Sequence, residues 1–271
     1  MMSMSRSLNT SESITADCPK GQRAIETFRA QYNKAGLSSC EAQTLNENPG
    51  FASYLLAGIK RFGAQVPDND LVRNILGADY ISPGDIMRNY PEIIYTDAQL
   101  LRFAETMPPQ ETLEWCREHG YILVAGPNNP LSLIEIRDVC QQYFHYKKES
   151  WWFEQQQPFS SADKVDTCWL MLRKTPLQWS AAHKWGGREM PLDHDESVPN
   201  IAELVWCVTA YHAVRGTYLP QKICVRTSSV TLSGGRVILR EFNGRGIILD
   251  AISDHFFFMN GDTGLAAIKR V

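Results

Sequence analysis

The sequence predicts an α+β fold: an N-terminal all-helical part followed by an antiparallel β-meander packed on a buried central helix. Three observations point there. Residues 197–216, SVPNIAELVWCVTAYHAVRG, carry the start and stop of one helix and are apolar nearly all round. Strict alternation punctuated by glycine turns follows from residue 222 to 251. Before residue 120 the pattern is instead one of short helices with capping residues at their starts. The expected organisation is a disordered tail over 1–20, a helical domain over 21–120 and an α+β domain over 121–271.

The first twenty residues are rich in Ser and Thr and lack the apolar core of a secretory signal, while Glu12 and Asp17 argue against a transit peptide. In the first predicted helix, Ile25, Phe28 and Tyr32 share a face. In the second, Phe51, Tyr54, Leu55, Ile59 and Phe62 recur at helical spacing. Leu71, Val72, Ile75 and Leu76 suggest a short third helix. Ser82-Pro83-Gly84-Asp85 and Thr96-Asp97-Ala98-Gln99 are start signals, with a capping hydroxyl followed three residues later by an acceptor. Pro108-Pro109 closes the second of these, and a further helix through Leu113 and Trp115 stops at Gly120.

Tyr121 to Ala125 reads as a strand ending at Gly126-Pro127, and Ser132 with Glu135 opens a helix whose core face runs Ile136, Val139, Cys140, Tyr143 and Phe144. This strand–loop–helix context can bind phosphate, but GPNNPLS contains no glycine-rich phosphate motif. Trp151-Trp152-Phe153 forms a loop with aromatic anchors, Cys168 to Leu172 a strand, and Trp179 to Trp185 a short helix. Asn200 caps the central helix with Glu203 as its capping-box partner, and Gly216 ends it. Lys222–Val230, Val237–Phe242 and Ile247–Ala251 are the meander strands. Phe256–Met259 adds a further strand, and 265–271 is either strand or helix.

Charge and cysteines bound the function. A net charge of -3 gives no global pull toward nucleic acid or membrane, and no run approaches the length of a membrane span. Between Gly77 and His119 eight acids face three arginines, which disfavours reading the short helices as a DNA-binding unit. Seven scattered Cys, with no C-x-x-C, suit reduced thiols and a cytoplasmic location.

Two constellations carry candidate chemistry. Five bases and one acid lie between residues 164 and 188, and six of the seven Trp fall between 151 and 206. Arg beside Trp suits phosphate, carboxylate or a stacked base. The ligand-binding candidates are therefore Trp169, Arg173, Lys174, Trp179 and Arg226; Arg226 reads either as an outward side chain or as a buried anion clamp. The second constellation is Asp193-His194-Asp195-Glu196, with Glu189 upstream. These are metal-ligand and acid–base residue types, but adjacent positions point apart in strand and helix alike, and no H-E-x-x-H or EF-hand pattern is present. No cofactor motif or nucleophile signature appears.

The leading expectation is a non-catalytic binding or interaction protein whose Trp- and Arg-lined groove takes a small anionic ligand or a protein partner. One alternative is a metal-dependent hydrolase or nuclease using the Glu189–Glu196 acids. The other is a nucleic-acid-binding module using the basic C-terminal meander, where seven Lys or Arg face four acids after Thr217.

Overall fold

The computed structural model describes residues 19–34, 36–48, 50, 70–144, 151–154, 156–178, 192–220, 224–252 and 263–271. The expected elements at 51–62, 179–185 and 256–259 lie outside these residues. Backbone contacts divide the chain into two units, 1–56 and 57–271. In the first, helices α1 (Pro19–Lys34) and α2 (Ser39–Glu47) are present, α2 opened by a Ser38–Glu41 capping box.

The second unit is α+β, with mixed and antiparallel sheets. Its helices begin where the sequence places capping residues. α3 (Asp70–Leu76) leads through a 3-10 turn into the two-residue strand β1 (Tyr80–Ile81). α4 (Pro83–Asn89) and α5 (Asp97–Glu105) start at Ser82 and Thr96, each with a complete capping box. α6 (Gln110–Glu118) precedes strand β2 (Tyr121–Ala125), which is fully buried. A short β3 (Leu131–Ser132) runs into α7 (Leu133–Val139), again boxed by Ser132 and Glu135. This helix is shorter than its apolar face suggested, because the backbone leaves helical geometry at Cys140 and Tyr143 falls in a separate 3-10 turn.

The aromatic stretch at 151 forms a short helix, α8 (Trp151–Glu154), followed by α9 (Phe159–Ala162). The Trp151 indole N–H donates to the backbone carbonyl of Leu249 at 3.1 Å. Strands β4 (Lys164–Val165), β5 (Trp169–Arg173) and β6 (Leu177–Gln178) come next. After α10 (Ile201–Arg215), β7 (Cys224–Val230), β8 (Arg236–Asn243) and β9 (Gly246–Ile252) pair antiparallel in succession. The final stretch is strand, not helix: β10 (Thr263–Leu265) and β11 (Ile268–Arg270).

The four-stranded sheet has the order β1-β2-β5-β11, the five-stranded sheet β6-β10-β7-β8-β9, and β3 pairs antiparallel with β4 alone. Two pairings were not visible in the sequence. β1 lies parallel to β2, so a strand from before residue 120 enters a sheet built from residues after it. β10 lies parallel to β7, making the second sheet mixed.

α10 explains its own composition. It contacts β1, β2 and β5 of one sheet and β7 and β8 of the other, as well as α4 and α7. A helix with packed neighbours on all sides gains from apolar residues on all sides. Ile201 through Tyr211 are buried without a break, and the Trp206 indole N–H is satisfied by the carbonyl of Ala125 at 2.9 Å. Gly216 ends the helix with φ 68°, the left-handed conformation that glycine adopts without strain. Gly126 serves a different need: a Cβ there would sit 2.0 Å from the carbonyl oxygen of Asp166. Among the described residues, no helix is long and apolar enough to cross a membrane.

Candidate functional site

The five groove candidates fall in different surroundings. Trp169 is 1% exposed; its indole N–H donates to the Phe103 carbonyl at 2.8 Å and its ring lies 5.0 Å from that of Phe103. It is a core aromatic whose one polar atom is satisfied. Lys174 reaches Asp79, Nζ to Oδ2 2.6 Å, and the other oxygen of Asp79 accepts from the Tyr211 hydroxyl at 3.1 Å. Arg226 is buried at 5% exposure, which excludes the outward reading of this residue. It pairs in register with Ile238 and Leu265, and alternation puts it on the sheet face opposite Val225. Trp179 lies outside the described residues.

Arg173 is the exception among the basic candidates. It is half-buried at the end of β5, opposite Tyr121 in β2. Among the described residues its guanidinium makes no hydrogen bond or ion pair. Other cations show the contrast: Lys174, next in the chain, is neutralised, and so is Arg270 at the far end of the adjoining strand.

The acidic stretch is a tight turn, with the Glu196 amide on the Asp193 carbonyl at 2.9 Å and the Asp193 amide on Glu196 Oε2 at 2.8 Å. Both oxygens of Asp195 accept from Lys269 Nζ, at 2.7 and 2.9 Å, and the hydrogen bond from Lys269 holds the Asp195 carboxyl below the ordinary carboxylate range. Glu196 accepts from the Tyr121 hydroxyl. The Lys269 ammonium sits 3.9 Å over the Trp115 ring, on which His119 also stacks at 4.3 Å. His194 is exposed. Among the described residues, no group of three or more His, Cys, Asp or Glu side chains is placed to hold a metal ion.

Arg173 of the first constellation therefore lies on the same sheet face as the acids of the second. Met171 and Arg173 in β5, Tyr121 in β2 and Lys269 in β11 share one sheet face by register, and the acids of 195–196 lie on it. Trp115, Tyr121 and Lys269 were not singled out from the sequence. Lys269 and Trp115 carried no local signal, Lys269 being one of two adjacent cations, Lys269-Arg270, after the apolar run Ala266-Ala267-Ile268; Tyr121 carried none beyond its place in a strand.

Both ends of α10 are closed. At its start Asn200 and Glu203 complete their capping box, and Arg270 grips the Glu203 carboxylate with two nitrogens, at 2.5 and 2.7 Å. That hydrogen bonding raises the pKa of Arg270, and Glu203 is a cap and ion-pair partner with a side chain only 4% exposed. At its end Arg215 donates to the carbonyls of Ala78 and Tyr80, both at 2.8 Å. His212 lies against Tyr218 with ring centroids 4.0 Å apart, its Nδ1 3.0 Å from the Tyr143 hydroxyl, and burial lowers its pKa.

A small pocket beside α10 is lined by Leu172, Leu204, Val208, Leu219, Val225 and Ala266, with Arg173 and Lys174 also in its lining. Its free space is about what a single water requires, well short of a ligand site in this conformation. No family model matches the chain, and neither a curated protein nor a solved structure is similar to it.

Proposed function

We propose that the protein is a binding protein rather than an enzyme, and that Arg173 is its contact to an anionic ligand or an acidic partner. The observation that carries this reading is the half-buried guanidinium of Arg173, which has no ion pair or hydrogen bond among the described residues. Holding a cation partly out of water without a partner costs stability. Lys174, Lys269 and Arg270 all have acids, so the chain does not lack the means to neutralise its cations. An unneutralised Arg at a strand end, next to Tyr121 and two acid-bearing residues, fits a site whose counter-ion comes from outside the chain. Arg is also the cation best suited to a carboxylate or phosphate, through its planar fork of donors.

In this reading Trp169 and Lys174 support the site rather than touch the ligand, Trp169 from the core and Lys174 through Asp79. Arg226 serves the opposite face of the other sheet, and Trp179 remains a candidate by sequence. The division into a helical part over 21–120 and an α+β part over 121–271 and the packing of the meander on α10 belong to the same proposal, as its scaffold. The test is calorimetric titration of the wild type and Arg173→Ala with inorganic phosphate and citrate as probes. Loss of binding with an unchanged melting temperature is expected. A large fall in melting temperature with binding retained would make Arg173 a structural residue.

A further inference from the structure

We propose that residues 192–196 are a displaceable acidic strap, and that the face beneath them is a docking surface for an acidic peptide segment of a partner protein. The inference rests on the binding reading of Arg173 and specifies its ligand.

Lys269 has a side chain only 11% exposed, yet the Asp195 carboxylate that covers its ammonium is 66% exposed. The cation is thus fixed in the sheet, with its charge over the Trp115 indole, while its anion hangs on the outside. Tyr121 is likewise completely buried, with its hydroxyl turned to Glu196. Lifting Asp195 and Glu196 away uncovers an ammonium over an aromatic ring and a tyrosine hydroxyl, with Arg173 across the strand from Tyr121.

The attachment of the strap shows where it could hinge. Ser197 is held on β11 by two backbone hydrogen bonds with Ile268, both 2.9 Å, and its hydroxyl accepts from Arg270 at 2.5 Å. From Ser197 onward the chain is anchored. Before Ser197 the turn at 193–196 is closed on itself, and its only described ties to the sheet are the two acidic side chains. Exposed ion pairs of this kind are weak and exchange with solvent.

The chemistry selects the occupant. Two consecutive acidic side chains on one peptide already satisfy Lys269 and Tyr121, and they leave Arg173 free for a further carboxylate. A partner with one more acid than the strap would match all three donors. A tethered segment competes at an effective concentration of about millimolar, so a free peptide meets a site that is already occupied. Such a strap sets a threshold that only a better-matched acidic segment passes.

The test uses the full chain and the synthetic peptide LDHDESV, which copies residues 192–198. The readout is the indole N–H resonance of Trp115, assigned by its loss in Trp115→Phe. In wild type, the peptide should leave this signal unmoved below millimolar concentration. In the double variant Asp195→Asn, Glu196→Gln it should shift the signal saturably, with binding tighter by about a hundredfold or more, the scale that tethering contributes. Adding Lys269→Met to the double variant should abolish the response. An unresponsive double variant that retains wild-type circular dichroism overturns the proposal, as does equal affinity for wild type and variant. Dimerisation of the double variant on size exclusion would replace the partner with a second copy of this chain, and also overturns it. The phosphate and citrate titrations of Arg173→Ala involve neither Asp195 nor Glu196, so failure there leaves this result independent.

Discussion

The paired strands β5 and β11 end in arginines that meet opposite fates. Arg270 closes on Glu203 with two short hydrogen bonds and ties the start of α10 to the sheet. Arg173, at the other end of β5, has no described partner, and the acids nearest its face spend themselves on Lys269 and Tyr121. The residue types are the same at both ends. What differs is enclosure: the Glu203 side chain is 4% exposed and Asp195 66%. A charge pair becomes part of the fold when water is excluded from it, and stays available for exchange when it is not.

The strongest way to break the closed end is Glu203→Ala, which removes both a capping partner and the acid that Arg270 grips. We expect a loss of about 2–3 kcal/mol, the low edge for breaking a buried pair because Arg270 can still reach water, read as a melting temperature lower by about 4–12 °C. Glu203→Gln separates the two roles, since glutamine keeps the capping geometry and loses the charge; it should cost less than alanine. Next in size is Asn200→Ala, at about 1 kcal/mol for the lost cap, measured by urea unfolding. At the open end Arg173→Ala should change stability by no more than about 0.5 kcal/mol while abolishing anion binding. Equal destabilisation by Glu203→Ala and Arg173→Ala would erase the contrast.

Acid titration gives the smallest and most local effect. The Asp195 carboxyl is held below its usual range by Lys269, so its folded pKa lies under its unfolded one. Its contribution is therefore fully present above the unfolded value of about 4 and is lost as pH falls through the folded value. Following the Trp115 indole resonance from pH 6 downward should show the strap releasing only below about pH 4, the unfolded carboxylate value. Release already at pH 6 would mean that Lys269 is not what holds it.

Much of the local structure was legible because it is written in neighbouring residues. The Ser82, Thr96, Ser132 and Asn200 caps each find their acceptor three positions on, and Gly216 ends α10 as glycine should. The candidate site was less legible because its members meet through register. Nothing local to Tyr121 announces Glu196, and nothing near Asp195 announces Lys269, which lies 74 residues away in sequence. Parallel pairings such as β1 with β2 leave no turn between them to read. Arg226 shows the same limit from the other side. The sequence left it either an outward side chain or a buried anion clamp, and its burial goes with pairing to Ile238 and Leu265, residues further along the chain.

Trp151 bears on how the border of the five-stranded sheet is presented to its surroundings. Its indole donates to the carbonyl of Leu249 on β9, which ends that sheet among the described residues. Backbone groups along such a border invite the border of another molecule to continue the ladder. A ring bonded to that carbonyl takes up one of the backbone groups that such a pairing would use.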